Sequence, residues 1–127
     1  MLILTMAKIL LVEDDSNLSK IYHDTFTNHG HTVFVSPYAE EGLHLAHSFE
    51  PDIIFLDIML PGKMNGFDLL RKIKSNATLT KIPIVMLTNL DSERESAIKS
   101  GAVDYIVKVN VAPSKLLEVL SKHINKK

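Results

Sequence analysis

Ile53-Ile54-Phe55-Leu56-Asp57 (residues 53–57) sets four consecutive large apolar side chains before a single carboxylate. A run this short, β-branched and aromatic, and apolar at every position, reads as a strand buried on both faces. The same arrangement recurs three times. Ala7–Val12 runs into Glu13-Asp14-Asp15, Ile84–Leu87 into Thr88, and Val103–Val107, interrupted by Asp104 and Tyr105, into Lys108. In a parallel sheet the carboxyl ends of the strands share one edge, and ligands bind there. The acids, the lone aspartate, the hydroxyl and the lysine are therefore expected to converge on one crevice. That set suits a divalent cation together with a phosphoryl group.

Helical stretches separate the strands. Ser16 is expected to cap a helix reaching about His29, with Leu18, Ile21, Tyr22 and Phe26 on one face and Gly30 ending it. His31–Ser36 reads as the second strand, stopped by Pro37, and Tyr38–Phe49 as a helix weakened by Gly42. Asp52–Asp57 is the third strand. The turn-rich loop Leu60-Pro61-Gly62-Lys63-Met64-Asn65-Gly66 leads to a helix over Phe67–Ser75, with Phe67, Leu70 and Ile73 inward. Ile82–Thr88 is the fourth strand, Asp91 caps a fourth helix closed by Gly101, and Val103–Lys108 is the fifth strand. Pro113 opens a last helix whose buried stripe is Leu116, Leu117, Leu120 and Ile124. Alternating strands and helices predict a doubly wound α/β three-layer sandwich, flavodoxin-like, around a five-stranded parallel sheet of order 2-1-3-4-5. That order makes Asp14 and Asp57 neighbours at the switch point. Residues 1–6 are expected to be an N-terminal extension and 7–127 one domain.

The bulk numbers exclude several classes. The chain has 127 residues and 46% apolar residues, enough for one sizeable core, and a net charge of −1, which gives no field favouring nucleic acid or a membrane surface. With no cysteine there is no disulfide scaffold, thiolate metal site or cysteine nucleophile, which fits a cytoplasmic protein. No apolar stretch reaches the ~20 residues of a membrane span, and Met1–Thr5 is too short for a signal peptide. The terminal Lys122…Lys126-Lys127 reads as a frayed helix end. His44 and His47, three apart on a helix, lack a third ligand and read as surface residues.

Taken alone, Asp14 and Asp15 are ordinary helix-cap acids, Thr88 a strand-end residue and Lys108 a solvated tip. Together they mean more. Clustered carboxylates repel unless a cation neutralises them, and Mg2+ accepts one or two carboxylates while keeping several waters. A carboxylate can also attack phosphorus to form an acyl phosphate, which leaves positioning and charge neutralisation to its neighbours. Asp57 could do so, with Lys108 pairing first with Asp57 and then with the phosphate, and Thr88 donating to a phosphoryl oxygen.

Lys8-Ile9-Leu10-Leu11-Val12-Glu13-Asp14-Asp15, Asp52-Ile53-Ile54-Phe55-Leu56-Asp57-Ile58-Met59-Leu60-Pro61-Gly62, Ile84-Val85-Met86-Leu87-Thr88 and Gly101-Ala102-Val103-Asp104-Tyr105-Ile106-Val107-Lys108 together resemble the receiver domain of two-component response regulators, over nearly the whole chain. The resemblance implies Asp57 as phosphoacceptor, Glu13 and Asp14 as the acidic pair holding Mg2+, with Asp14 the more direct ligand, and the Met59 carbonyl as a further ligand. It implies Thr88 as the switch hydroxyl, Lys108 as the site lysine and Tyr105 as the aromatic that turns inward on activation, with a lesser role for Asp15. It further implies a phosphoryl donor that is a histidine kinase or phosphotransfer protein, and an output through a downstream protein. A stand-alone, non-enzymatic receiver with no nucleic-acid-binding or catalytic segment after Lys127 is expected, with a fragment of a longer protein as the alternative and a homodimer left open.

Three positions depart from the family pattern. Val109 stands where proline usually follows the lysine, so a trans bond is expected there and a shifted Lys108. Asn89 stands where a small residue usually follows the threonine, and would narrow the pocket or add a polar contact. One extra residue lengthens the loop at Lys63-Met64-Asn65, beyond the metal site. Met59 and Leu90, two past Asp57 and Thr88, are apolar and cannot orient a hydrolytic water, which predicts slow autodephosphorylation. The alternatives are a pseudo-receiver that binds partners without taking phosphate, and an aspartyl-phosphate phosphatase. The second usually wants an aspartate where Met59 stands. A nucleotide or flavin module is disfavoured because acids occupy the turn after the first strand, where a Gly-rich loop would be needed.

Overall fold

The computed structural model describes residues 6–124; most of the expected N-terminal extension, Met1–Thr5, and the terminal Asn125-Lys126-Lys127 lie outside the described residues. Five strands alternate with five helices: β1 Lys8–Val12, α1 Ser16–Thr27, β2 Thr32–Ser36, α2 Ala39–Ser48, β3 Ile53–Leu56, α3 Gly66–Lys74, β4 Ile84–Thr88, α4 Arg94–Lys99, β5 Asp104–Val107 and α5 Lys115–Ile124. A 3-10 turn, Lys108–Asn110, follows β5. All strand pairs are parallel, in the expected order β2-β1-β3-β4-β5.

The apolar runs are continuous because both sheet faces are covered, and alternate residues divide between two cores. Leu10, Val12, Ile54, Leu56, Ile84 and Met86 pack with Ala39, Leu69, Leu70, Ile73 and Ala97 under α2, α3 and α4. Ile9, Leu11, Ile53, Phe55, Val85 and Leu87 pack with Tyr22 and Phe26 of α1 and Leu116, Val119 and Leu120 of α5. Phe26 and Phe55 anchor the second core, their ring centroids 5.1 Å apart. Burying either ring contributes roughly 1.5–3 kcal/mol.

Several local expectations are corrected. Asp15, not Ser16, caps α1, its Oδ1 accepting from Asn17 N–H at 3.0 Å and Leu18 N–H at 3.1 Å. An aspartate one residue earlier meets both amides, so the serine becomes the first helical residue. Ile21 lies 45% exposed, because α1 turns only the Tyr22 and Phe26 stripe to the core. Asp91 does not cap α4, which starts later and has Glu93 at its N-cap position without a side-chain bond. In α3, Leu69 joins Leu70 and Ile73 in full burial while Phe67 is only partly covered, with Arg71 stacked over its ring. In α5, Val119 takes the fully covered place expected of Leu117. Strand β5 stops at Val107, because Lys108 opens the 3-10 turn. Gly42 also lies close against the sheet: a Cβ there would sit 3.1 Å from a Val12 methyl and 3.2 Å from a Leu69 methyl, both of which would have to shift slightly.

Candidate functional site

The register of the sheet builds the site. Val12 stands opposite Leu56, and the Asp57 N–H donates to the Val12 carbonyl at 3.0 Å, so the residues after β1 and β3 emerge side by side. Carboxylate oxygens of Glu13, Asp14 and Asp57 all lie within 4.8 Å of one another. Glu13 and Asp57 are buried and Asp14 is exposed. The carboxylate of Asp15 is committed to its cap and does not join them.

Lys108 reaches this cluster from the end of β5. Its Nζ donates to Asp57 Oδ2 at 2.6 Å and contacts Glu13 Oε1 as well. The three side chains are 6%, 7% and 1% exposed for Lys108, Asp57 and Glu13. Burial alone would lower the lysine pKa, but hydrogen bonds and charge from Asp57 and Glu13 outweigh it and hold the ammonium above its ordinary value. Burial pushes the Glu13 carboxyl up, opposed by Lys108 and by the Asp15 N–H that donates to its Oε2 at 3.1 Å. Glu13 Oε1 stands in close contact with the ammonium, while Oε2 takes the Asp15 N–H.

The remaining expected residues stand around the same crevice. Thr88 is fully buried at the end of β4, and its Oγ1 accepts from Leu90 N–H at 3.4 Å. Met59 N–H donates to Asp57 Oδ1 at 3.2 Å, while the residue as a whole is 63% exposed. Tyr105 stands inward, 3% exposed, with its hydroxyl donating to the Leu90 carbonyl and the Arg94 guanidinium over its ring. Burial raises its phenol pKa. Glu13, Asp14, Asp57, Met59, Thr88, Asn89, Leu90 and Lys108 line one cavity of about 380 Å3. Lys63, Met64 and Asn65 do not line it, so the longer loop leaves the crevice untouched. A roomier hollow of about 480 Å3 along β5 and α5 has no comparable acid cluster.

Two features escape the sequence reading. Gly66 presses α3 onto the acceptor strand: a Cβ there would fall 2.0 Å from the Asp57 carbonyl oxygen, and its N–H donates to the Ile58 carbonyl at 2.9 Å. The available signal was a glycine just before an amphipathic helix, and it sat within a loop already rich in turn residues. Beside it, Asn65 and Asp68 form a reciprocal capping box at the start of α3. The other feature joins two of the departures. Asn89 Oδ1 accepts from Val109 N–H at 3.1 Å, and the Lys108–Val109 peptide is trans.

A model of the response regulator receiver domain matches residues 9–121. The chain belongs to that family. A probable transcriptional regulator, ycf29 of Pyropia yezoensis, is 34% identical over 92% of this chain and 53% of its own length. Protein PilH of Pseudomonas aeruginosa is 32% identical over 81% of this chain and 86% of its own. The BeF3-activated receiver domain of Klebsiella pneumoniae RstA superposes with a TM-score of 0.85 at 35% identity, covering 94% of this chain and 99% of that one. The receiver spans about half or less of the length of several curated relatives. Among the described residues no helix is long and apolar enough to cross a membrane.

Proposed function

We propose that this receiver takes a phosphoryl group onto Asp57 from a phosphohistidine of a histidine kinase or phosphotransfer protein in the cytoplasm. The observation that carries the reading is the buried Asp57–Lys108–Glu13 cluster at the joined carboxyl ends of β1, β3 and β5. An Asp57 carboxylate oxygen bonds to phosphorus as the P–N bond to the donor's imidazole breaks, the electron pair leaving on the ring nitrogen. Lys108, already charged and held on Asp57, keeps contact with the growing negative charge. Thr88 donates a hydrogen bond from its hydroxyl to a phosphoryl oxygen and draws its loop inward. Tyr105, hydrogen-bonded to that loop at Leu90, carries the change to the surface of α4, β5 and α5. A downstream protein reads that surface.

The donor set fits Mg2+: three hard carboxylates within 4.8 Å of one another, one of them exposed. Glu13, Asp14, Asp57 and the Met59 carbonyl would hold it, and when bound it neutralises phosphoryl oxygens during transfer. The apolar Met59 side chain, where an aspartyl-phosphate phosphatase would carry its general acid, argues for a signalling module over an enzyme of that kind.

Intact mass after incubation with Mg2+ and acetyl phosphate tests the reading. One added phosphoryl group on the wild type and none on Asp57→Asn supports it. Absence of the adduct on a folded wild type makes the chain a pseudo-receiver.

A further inference from the structure

Strand pairing between β4 and β5 ends at Thr88 opposite Val107. Beyond it the two chains carry the groups that matter: Thr88 leads into Asn89-Leu90, and Lys108 opens the 3-10 turn that contains Val109. One bond bridges the chains past that point, from Val109 N–H to Asn89 Oδ1 at 3.1 Å. It continues the connection with a side chain in place of a backbone carbonyl. Val109 is 76% exposed, so this residue's contribution to the site is its N–H. A proline there would have no N–H to offer. The turn's own internal bond, Val111 N–H to the Lys108 carbonyl, is long at 3.4 Å.

Lys108 has a flexible four-carbon stem and would lose rotamer freedom whenever its ammonium is fixed. Its Nζ is nevertheless held on two carboxylates. The backbone that launches the stem must be held for that to persist. We propose that Asn89 is a positioning residue: by accepting the Val109 N–H it clasps the loop after Thr88 to the loop after Lys108 and fixes the ammonium against Asp57. Asn89 and Val109 are then one device rather than two departures from the family pattern. The clasp rests on the phosphoacceptor reading of Asp57, because its purpose is the placement of Lys108 and Thr88 for that chemistry.

The test measures the rate of phosphorylation by acetyl phosphate with Mg2+, followed by intact mass, for wild type, Asn89→Ala, Val109→Pro, the double variant and Val109→Ala. Asn89→Ala and Val109→Pro are each expected to slow the reaction about twofold to tenfold, the worth of one hydrogen bond. The double variant is expected to be no slower than the slower single, because both remove the same bond. Val109→Ala keeps the N–H and is expected to react at the wild-type rate. A wild-type rate for Asn89→Ala, multiplying effects in the double variant, or slowing by Val109→Ala would each overturn the clasp. A lowered unfolding midpoint for Asn89→Ala with an unchanged rate would also overturn it, by making the bond merely structural. A wild type that takes no phosphoryl group would overturn the phosphoacceptor reading itself, an outcome distinct from these.

Discussion

Replacing Lys108 with methionine keeps the stem and removes the ammonium from between Glu13 and Asp57. The two carboxylates, whose oxygens lie within 4.8 Å, then face each other uncompensated. At an effective dielectric constant near 20 their repulsion is about 3.5 kcal/mol, in line with the roughly 3–5 kcal/mol lost when a buried pair is broken. Protonation offers relief. Glu13, which burial already pushes up, would rise further in the variant. A carboxyl whose folded pKa lies above its unfolded value binds more protons when folded, so the variant recovers stability as pH falls. Urea denaturation of both proteins should show a loss of about 3 kcal/mol near pH 8 that shrinks as pH falls. Millimolar Mg2+ should narrow the gap near pH 8 by supplying the missing positive charge. A loss that does not shrink as pH falls, or a loss below about 1 kcal/mol near pH 8, would show that Lys108 does not hold these carboxylates together.

Gly66→Ala forces a Cβ to within 2.0 Å of the Asp57 carbonyl, a backbone atom with nowhere to go; thermal unfolding should show a loss of about 3 kcal/mol or more, with phosphorylation impaired in whatever folds. His31 Nδ1 accepts the Ala7 N–H at 3.0 Å, and burial, with His29 nearby, lowers its pKa. Its contribution, on the order of 1 kcal/mol, should be complete above the unfolded pKa near 6.5 and fade as pH falls through the lower folded value; a denaturation series comparing wild type with His31→Leu checks this. With Met59 and Leu90 unable to orient a water, the acyl phosphate on Asp57 should persist for minutes or longer after the donor is removed, and a half-life of seconds by intact mass would count against that.

Most of the sheet was legible because burial on both faces leaves a short, mainly apolar run, and each such run ended in polar residues. Register then followed from parallel pairing, which set Glu13 beside Asp57 although 44 residues separate them. Helix starts were less legible, because a cap depends on which of several adjacent polar residues meets the first free amides. Asp15 and Ser16 were both plausible from type alone, and only the turn geometry separates them. At α4 the helix begins past Asp91, and nothing local to that aspartate marks the delay. The Asn89–Val109 bond was out of reach for another reason. Each residue was visible as an exception, but their pairing depends on two loops meeting across 20 residues of sequence.

The residues of the acid cluster, with Thr88 and Lys108, sit at or just past the carboxyl ends of the strands, away from the opposite rim of the sheet. The turns on that rim, such as Asn28–His31 before β2 and Asn76–Pro83 before β4, are separated from the acid cluster by a strand's length. Five residues of strand span about 16 Å. A reporter dye, an affinity tag or a second protein grafted onto that rim would stand clear of the crevice around Asp57. The molecule thus carries a natural handle on the side where attachment leaves its chemistry undisturbed.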